Sequence, residues 1–583
     1  MRRFMPQKYS QVKPGVAINT FQGQVHPDAA NYLNTKFGQL IYNKNMEYRW
    51  SQDNVYLQTK RGSNLIGDIV DTNVLGASIY YAVNLDTAFP AGSAYYSGPV
   101  YVFNTVKGAL KAFFPISVFG SPPGVATAKA SGLSTTQNTY YAMFGQGALS
   151  TIYGCNSQDG IFKIEPWVTG GGLNAIRYAS VNSMPATDIA YSNISGRMFV
   201  IYGHKVSYSN VQTSSSSLSN LETYGVSSNA IVSPDSGTGF KRIIDDGQVT
   251  FLFKDTGVWY LPNASEDPTD WRFPKASEMP GTLSPKTVAL AKYGSQQGII
   301  YLAADKTLRF LTYQFENNAG VLPTLLDRKS HVISELFQPL LSRISNDYLD
   351  KCVAQYFDGQ YILNYPSEGS NVLNATIGID CEKLLPKSGG QTVSQPFWWR
   401  SENMNYTQMV VRSTDAALIG FNKDGYISKL FVEDYYQEDV PTRIDATGSL
   451  AINWQWFTGW YRYFQTQAEM VELIVNWKSE NTYPIKFYFN SFTSGEGAIP
   501  DFDASNYVLL TPTTSGRAYY DISFWDIDYY SNSGQSSQNT GEGGFGEYFL
   551  FGAANTEKNS PATFYTLQPY FKSIQKSGLA AVS

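Results

Sequence analysis

Three hairpins of similar design follow one another between residues 198 and 311, and they constrain the fold more than any other feature. Each has two β-rich runs of about five residues, joined by a short turn that contains Gly, Asp or Lys. From one hairpin to the next, the first apolar residue after the turn recurs at intervals of 52 and then 50 positions. A recurrence of strand pairs near 50 residues is typical of β-propeller blades. The hairpins span 198–202 with 206–208, 249–253 with 258–261, and 299–303 with 307–311.

The same pattern continues on both sides of this run. Taking one apolar residue from each hairpin gives seven anchors, at intervals of 39, 57, 52, 50, 69 and 50. This recurrence predicts an irregular β-propeller of six to eight blades over residues 61–440. The alternative is a set of unrelated hairpins in a generic β protein. The anchors are Leu110, Leu149, Val206, Val258, Leu308, Ile377 and Ile427.

The composition independently favours an all-β fold. Aromatic residues make up 15% of the 583 positions, with 42 Tyr and 34 Phe, whereas charged residues are only 16% against a typical quarter. Tyr and Phe suit pleated surfaces, and 49 Gly with 27 Pro supply many turns. A chain of this length exceeds one ordinary core, so we expect more than one domain.

The segments that flank the predicted propeller differ from it in pattern. Residues 1–60 predict an extended N-terminal arm or a strand that closes the propeller. Residues 441–583 predict a C-terminal β-sandwich, because the runs 471–477 and 485–489 alternate with one apolar face and tryptophans cluster nearby. The loop 531–546 has no apolar pattern, and we expect it to be flexible or ordered only by a neighbour.

One stretch breaks the β pattern. Apolar residues at helical spacing predict one amphipathic helix near 330–345, with Ser330 as its cap. Pro339 should kink this helix or begin a second short one. The helix would pack across the propeller or, alternatively, dock a partner.

Charge, cysteine and histidine content exclude several classes of function. The net charge is −5 and no long basic patch is present, so we expect no specific nucleic-acid binding. Three cysteines at wide spacing (Cys155, Cys352, Cys381) predict reduced core residues rather than disulfides. Three histidines are too few and too scattered for a metal site. We expect no cofactor, no signal peptide and no membrane-spanning segment.

No arrangement of residues predicts catalysis. The acidic pairs Asp245–Asp246, Asp501 with Asp503 and Asp526 with Asp528 are adjacent or nearly so, which rarely gives the geometry of glycoside hydrolysis. Asp245–Asp246 is interpreted as part of a blade turn, and His204 as an exposed turn residue. We therefore assign no catalytic, cofactor-binding or metal-binding residue, and leave the interface residues unassigned. Aromatic doublets could stack on sugars, form a protein interface or fill the core. They are Tyr80–Tyr81, Tyr95–Tyr96, Trp398–Trp399, Tyr519–Tyr520 and Tyr529–Tyr530.

Residues 186–311 resemble the propeller of the tail nozzle, or packaged-DNA stabilisation, proteins of short-tailed bacteriophages. The resembling runs are 186–190 with 196–200, 247–253 with 257–260, and 280–288 with 298–302. The predicted helix, the strand pair 354–365, the run 396–400 and the C-terminal sandwich follow in the order of that family. The resemblance covers about two thirds of the chain and excludes residues 1–180 and the loop 531–546.

The resemblance implies a structural virion protein without enzyme activity. It implies a homo-oligomeric ring, usually a hexamer, that continues the DNA-exit channel below the portal and adaptor. Tail fibre, needle or tip proteins would lie nearby, and assembly would occur in the host cytoplasm. Double-stranded DNA would pass during genome ejection without sequence recognition, and a neutral or acidic lumen would let it slide. The alternative function is a carbohydrate-binding or glycan-degrading propeller in a receptor-binding tail component.

Overall fold

The computed structural model describes most of the predicted strands. The described residues are 12–14, 21–22, 24, 39–51, 54–68, 74–82, 98–113, 127–144, 151–166, 176–212, 221–223, 229–232, 238–247, 249–261, 267–276, 280–312, 315–316, 324–325, 330–385, 393–402, 404–412, 415–423, 426–432, 437–441, 447–459, 461–463, 468–479, 484–492, 507–510, 534–538, 545–556 and 561–573. Several predictions lie outside these residues: the acids at 501, 503, 526 and 528, the anchor Leu149, and the doublets at 95–96, 519–520 and 529–530.

The all-β class predicted from composition is confirmed, since nearly every regular element is a strand. Five strands come first along the chain, before the recurring units. In the described part of the chain, no helix has the length and apolar character that a membrane crossing requires. The first strands are β1 (Val12–Pro14), β2 (Leu40–Lys44), β3 (Met46–Ser51), β4 (Asn54–Thr59) and β5 (Gly62–Asp68).

Seven groups of antiparallel strands then follow one another along the chain, the first five as separate sheets and the last two as parts of larger sheets, and we call them units 1 to 7. In five of them, each strand pairs with the next in sequence, as in a meander, and in unit 5 a separate strand pair intervenes before the fourth strand. The first four are unit 1, β6 (Val74–Ala82), β7 (Gly98–Thr105), β8 (Leu110–Phe113) and β9 (Thr127–Ala130); unit 2, β10 (Tyr140–Phe144), β11 (Thr151–Asn156), β12 (Gly160–Pro166) and β13 (Ile176–Asn182); unit 3, β14 (Asp188–Ser192), β15 (Arg197–Tyr202), β16 (Lys205–Tyr208) and β17 (Asn229–Val232); and unit 4, β18 (Arg242–Asp245), β19 (Thr250–Phe253) and β20 (Val258–Leu261).

The last three units follow the same plan, but unit 7 takes its fourth strand from the beginning of the chain. Strand β5 pairs antiparallel with the third strand of that unit, β33. The units are unit 5, β21 (Ala289–Tyr293), β22 (Gln296–Leu302), β23 (Leu308–Thr312) and, after the small pair β24 (Phe315–Glu316) and β25 (Thr324–Leu325), β26 (Ser330–Val332); unit 6, β27 (Val353–Phe357), β28 (Gln360–Tyr365), β29 (Ala375–Leu385) and β30 (Gln395–Ser401); and unit 7, β31 (Tyr406–Arg412), β32 (Ala417–Asn422), β33 (Tyr426–Val432) and β5.

Each unit packs on the next through apolar side chains, and the last packs on the first. Because side chains alternate along a strand, one strand serves two interfaces. In unit 3, Met198 faces unit 2 whereas its neighbour Phe199 faces unit 4. Unit 7 contacts unit 1 through Phe421 and Phe103, whose ring centroids are 5.5 Å apart. The packing order of the seven units is therefore cyclic, and we call the seven units of one chain the ring.

Burial on both faces explains why the hairpins stand out in the sequence. All four residues of β19 and all four of β20 are buried, so these strands consist of continuous apolar runs rather than alternating ones. Each fully buried Phe, Val or Leu in such a strand contributes about 1.5–3 kcal/mol through loss of apolar surface to water. The strand pairs predicted at 198–208, 249–261 and 299–311 are all confirmed.

In unit 2 the predicted hairpin is displaced by one strand. The anchors in the other six units lie on the third strand, whereas the pair predicted around Leu149 corresponds to the first and second strands, β10 and β11. The third strand of unit 2 is β12, which begins at Gly160. With Ile161 as the anchor, the intervals of 39 and 57 residues become 51 and 45, and the recurrence is more regular than the sequence pattern indicated.

The predicted helix near 330–345 is wrong in extent. Residues 330–332 form β26, the fourth strand of unit 5, and only Gln338–Ser342 forms an α-helix, α1. Pro339 lies in its first turn, as expected for a residue that begins a helix. The apolar residues of this stretch, among them Ile333 and Phe337, still pack into the core between units 5 and 6. Two 3₁₀ turns, Pro285–Thr287 and Asn346–Lys351, precede units 5 and 6.

The remaining strands form two sheets that face each other across one apolar cluster, and strands from both ends of the chain contribute to them. One sheet has the order β3-β4-β44-β38-β41, with β1 and β42 at its margins, and the other contains β2-β36-β43-β39-β40 with β37. Trp454, Trp456 and Trp477 lie fully buried between them. The strands are β34 (Gln437–Pro441) and β35 (Thr447–Ala451), which extend unit 7, then β36 (Trp454–Thr458), β37 (Tyr461–Arg462), β38 (Ala468–Ser479), β39 (Ile485–Phe492), β40 (Tyr507–Leu510), β41 (Gly534–Gln538), β42 (Phe545–Gly546), β43 (Tyr548–Asn555) and β44 (Ala562–Ser573).

Two of these strands fall in the loop predicted at 531–546. Strand β41 pairs with β38, and β42 pairs with the start of the same strand. The prediction of a loop without regular structure is therefore wrong for residues 534–538 and 545–546. Backbone pairing depends little on side-chain type, so a Ser- and Gln-rich run can add to a sheet without any apolar pattern.

The N-terminal segment connects the two parts of the molecule. The segment predicted as an arm or closing strand contributes β2, β3 and β4 to the C-terminal sheets, and the strand that completes unit 7 is β5. Asn45 turns the chain from one sheet to the other with a left-handed φ of 57°. Its side chain donates to the carbonyl of Asn453 at 2.7 Å, and its backbone N–H donates to the carbonyl of Arg400 in unit 6 at 2.8 Å.

A buried carboxylate fixes this connection. Glu47 is fully buried in β3, and its side chain accepts a hydrogen bond from the backbone N–H of Arg61 at 3.1 Å. It also lies 3.1 Å from the guanidinium of Arg49 and 3.4 Å from that of Arg61. Arg61 reaches Asp358 of unit 6 at 3.2 Å. The ion pairs thus join a C-terminal sheet to two units of the ring.

We expect Glu47→Gln to destabilise the protein by about 2–4 kcal/mol, because it leaves buried guanidinium charge without its partner. Urea titration measures the change. Glu547→Gln is the matched control, since Glu547 pairs with the exposed Arg462 and should cost less than about 1 kcal/mol. Equal effects of the two substitutions would contradict the role assigned to Glu47.

Candidate functional site at the ring axis

The first strands of most neighbouring units lie side by side. Strand β6 contacts β10, β10 contacts β14, and β14 contacts β18; β21 contacts β27, β27 contacts β31, and β31 contacts β6. A group of polar side chains, which we call the axial cluster, lies where these strands begin. Its members come from five units and are Tyr140, Asp188, Arg242, Lys286 and Asp350.

Asp188 and Arg242 form the centre of the axial cluster. Each is the first residue of the first strand in its unit, and Asp188 is fully buried. One guanidinium nitrogen of Arg242 donates to both carboxylate oxygens, at 2.9 and 3.0 Å. The carboxylate also accepts hydrogen bonds from the backbone N–H groups of Ile189 and Ile243, each at 2.8 Å. The pair therefore joins unit 3 to unit 4 through one fully engaged carboxylate.

Two contacts cross the axis between units that are not neighbours. The guanidinium of Arg242 in unit 4 lies 5.3 Å from the ring centroid of Tyr140 in unit 2, a cation–π distance. Lys286, which precedes unit 5, donates from Nζ to the carbonyl of Leu75 in unit 1 at 2.8 Å. Since two other units separate units 5 and 1 along the shorter path, this hydrogen bond spans the axis. Together the contacts connect units that are not neighbours in the packing order.

The backbone segments around Leu75 and Thr139 also approach each other closely. The carbonyl of Leu75 also accepts from the N–H of Thr139 at 3.2 Å, which brings units 1 and 2 together. At the adjacent Gly76, a Cβ atom would lie 1.9 Å from the carbonyl oxygen of Thr139. Only glycine allows this approach, because any side chain would collide with backbone that cannot move away.

The electrostatics of the axial cluster favour cohesion rather than reaction. Burial raises the pKa of Asp188, and the neighbouring Arg242 opposes that rise. Burial also lowers the pKa of Lys286 to about 7, an effect that Asp350 opposes and Arg242 strengthens. Burial raises the pKa of the nearby Cys155 thiol, so this cysteine stays protonated and unreactive. Arg242 donates to a carboxylate and Lys286 donates to a backbone carbonyl.

The acidic pair Asp245–Asp246, which the sequence places in a turn, lies outside the axial cluster. Asp245 accepts from the N–H of Gly247 at 2.9 Å and the hydroxyl of Thr250 at 2.6 Å, and Asp246 accepts from the N–H of Val249 at 2.6 Å. These are the local hydrogen bonds of a turn between strands, as the sequence predicts.

His204 and the doublet Trp398–Trp399 also make their contacts with residues of the fold outside the axial cluster. Nδ1 of His204 lies 3.2 Å from Nζ of Lys254, which is fully buried over the ring of Trp259. Trp398 and Trp399 are buried, and their indole N–H groups donate to the carbonyl of Gln24 at 2.7 Å and to the side chain of Gln360 at 3.2 Å. Of the three interpretations of this doublet, core packing applies.

The three cysteines are free and buried, which confirms the prediction of reduced core residues. Within the described ranges, no three His, Cys, Asp or Glu side chains converge in a way that could hold a metal ion. No residue of the axial cluster is predicted as functional from the sequence. Its signal was a charged or phenolic residue at or just before the first strand of successive units, which becomes visible only once the units are aligned on that strand.

Comparison with known proteins gives no family. No protein-family model matches the chain, and no curated protein matches it. One solved structure that matches is the crystal structure of the computationally designed Ika8 protein, at 9% identity and a TM-score of 0.31. The match covers 68% of this chain and 100% of the designed protein. A similarity of this degree carries no information on the fold or function of the chain.

Breaking the central ion pair should destabilise the ring strongly. We expect Arg242→Met to lower the free energy of unfolding by about 3–5 kcal/mol, because it leaves the buried Asp188 carboxylate without its cation. Glu368→Gln, at the exposed pair with Arg343, should cost less than about 1 kcal/mol. In urea titrations, a loss in Arg242→Met no larger than in this control would rule out a cohesive role for the pair.

Lys286 should make stability depend on pH. The folded state holds the pKa of this lysine near 7 against an ordinary 10.5, so between these values the unfolded chain binds more protons. The contribution of Lys286 to the free energy of unfolding therefore rises with pH across this window, by up to about 1.4 kcal/mol per pH unit.

Lys286→Met removes this dependence. The difference in unfolding free energy between the natural protein and the variant should increase steadily from pH 7.5 to 9.5, a range that ends below the ordinary tyrosine pKa. A difference that stays constant over the range would mean that the ammonium is not desolvated in the folded state.

Proposed function

We propose that the seven units are blades of a β-propeller and that the chain is a structural protein of a short-tailed bacteriophage tail. Several copies, six by analogy with the resembling family, would form a ring around the DNA-exit channel below the portal and adaptor. The ring would help to retain the packaged genome and then release it. The cyclic packing of the units supports the propeller, and the resemblance of residues 186–311 supports the tail role.

Contacts between units that are not neighbours give the proposal its strongest support. Lys286 bonds to Leu75 and Arg242 stacks on Tyr140, so a propeller of these units would leave no wide passage along its own axis. A channel that admits double-stranded DNA must therefore lie between copies. In this arrangement each chain acts as a wedge, and its outer surfaces rather than its axis determine the width of the channel.

The connection between the two parts of the chain supports a mechanical role. Strand β2 of the C-terminal sheets pairs with β30 of unit 6, so one sheet extends across both parts. Phe397 of unit 6 contacts Tyr48 and Trp50 of β3, with ring centroids 5.1 and 5.4 Å apart. A shared sheet and core restrict the relative motion of the two parts. Such stiffness suits a ring of copies that resists the pressure of packaged DNA.

Electron microscopy of the purified full-length chain, alone and mixed with the portal–adaptor complex of its parent particle, tests the proposal. We expect closed rings of identical copies around a channel of DNA width, with each copy showing one seven-bladed disc. Particles that remain single chains under both conditions, or a channel along the axis of a single propeller, would contradict it.

The alternative is a glycan-binding or glycan-degrading tail component. Incubation of the same preparation with surface polysaccharide of the host tests the glycan-degrading form of this alternative. We expect no new reducing ends when the polysaccharide is incubated with the purified chain. Cleavage of the polysaccharide by single chains would replace the structural assignment with an enzymatic one.

A further inference from the structure

A polar cavity lies at one end of unit 6, apart from the axial cluster. Its volume is about 450 Å³, within the range of small-molecule sites. Helix α1 contributes Leu340 and Arg343, the ends of strands β28 and β30 contribute Tyr365 and Arg400, and the loop between β28 and β29 contributes Ser367. Neither the ring closure nor the proposed tail role requires such a cavity.

Arg400 is held in place at the wall of the cavity. Its guanidinium lies 4.3 Å from the ring centroid of Tyr42 and donates to the hydroxyl of the same residue at 2.7 Å. A guanidinium held by stacking and a hydrogen bond loses little entropy when it binds a carboxylate or phosphate. Arg400 is therefore preorganised for an anion.

The charges around the cavity do not cancel. Glu402 lies 3.4 Å from Arg400 but only 2.6 Å from Lys44, so its charge is mainly neutralised by the lysine. Lys44 accordingly lowers the pKa of Glu402. Arg343 pairs with Glu368 at 3.5 Å, and both side chains are largely exposed, at 46% and 70%. In the lining, Arg343 and Arg400 balance Glu368 and Glu402 in number, and Lys44, which pairs with Glu402 from outside the lining, adds one positive charge beside Arg400.

Neutral polar groups complete the lining. The loop that forms one wall is braced by reciprocal hydrogen bonds, since Ser367 donates its N–H to the side chain of Asn374 at 2.8 Å and Asn374 donates its amide to the Ser367 hydroxyl at 2.9 Å. Tyr365 lines the cavity, and in the described structure its hydroxyl has no hydrogen-bond partner. Burial raises the pKa of Tyr365, so the hydroxyl remains a donor at neutral pH.

From this arrangement we propose that the cavity binds an anionic sugar, a hydroxylated ring that carries a carboxylate or a phosphate. The anionic group binds Arg400, and Arg343 closes over it from the mouth of the cavity. The ring hydroxyls exchange hydrogen bonds with the Tyr365 hydroxyl and the Ser367–Asn374 wall. Mixed donor and acceptor groups of this kind match hydroxyls, and the volume suits one or two sugar rings.

Isothermal titration calorimetry on the full-length protein tests the site with four probes: glucuronate, glucose 6-phosphate, glucose and inorganic phosphate. We expect at least one anionic sugar to bind at least about 10-fold more tightly than glucose and than phosphate, because only it engages both halves of the lining. A preference for glucuronate or for glucose 6-phosphate identifies the anionic group. Binding of phosphate alone, equal binding of glucose, or no binding of any probe would overturn the proposal.

Substitutions locate the site. Arg400→Lys should weaken binding of the preferred sugar by about 10-fold or more, since a lysine cannot stack on Tyr42 or bind an anion through two parallel hydrogen bonds. Arg462→Lys, at an exposed ion pair of the C-terminal sheets, is the matched control and should leave the affinity unchanged. Tyr365→Phe removes only the hydroxyl and should weaken binding by about 5-fold. It serves as the decisive variant if Arg400→Lys does not fold. Unchanged affinity in the folded cavity variants would place the ligand elsewhere and contradict the proposal.

Discussion

The pairing of strand β5 with β33 is the interaction on which the rest of the structure depends. Gly62–Asp68 comes from the beginning of the chain and Tyr426–Val432 comes from the last unit, so their hydrogen bonds connect the two ends of the ring. Without β5, unit 7 would have three strands of its own, and units 7 and 1 would be joined only through side chains, by their apolar contact and by hydrogen bonds such as those of Arg412 to Tyr101 and of Val74 to Thr407. Strand β5 is also paired on its other side, by β34, and is therefore not an exposed edge.

Closure in turn places the polar side chains at the axis. Asp188, Arg242 and Lys286 lie far apart in sequence, and each belongs to a different unit or to the turn that precedes it. They meet because cyclic packing brings the beginnings of the first strands together. A residue that bonds across the axis satisfies a buried donor and at the same time links units that share no apolar interface. The axis is consequently a point of cohesion, which leaves the outer surfaces and the cavity of unit 6 to contact other molecules.

The parts of the fold that depend on local pattern could be predicted from the sequence. Both faces of the central strands are buried, so hairpins such as Thr250–Leu261 appear as paired apolar runs around a turn. The helix near 330–345 was predicted too long because apolar residues at helical spacing also fit a short strand, a turn and one helical turn that begins at Pro339. In unit 2 the predicted hairpin is that of β10 and β11, whereas the equivalent of the hairpins in the other units is that of β11 and β12.

The parts that depend on distant pairing could not be predicted. Lys44 of β2 pairs beside Arg400 of β30, and Leu57 of β4 pairs with Phe564 of β44, across separations of several hundred residues. No local pattern specifies which strand of a distant segment will be the partner. The axial cluster has the same origin, because its side chains converge only when distant units pack together. At the cavity, Tyr42 reaches Arg400 only through the N-terminal connection.

Native-state hydrogen exchange measures closure of the ring directly. The amides of Gly62–Asp68 that bond to β33 should be protected to nearly the same degree as those of Ala417–Asn422 in the middle of unit 7, because both belong to one cooperative sheet. Exchange of the β5 amides at the rate of an unstructured segment, while those of Ala417–Asn422 remain protected, would contradict the account.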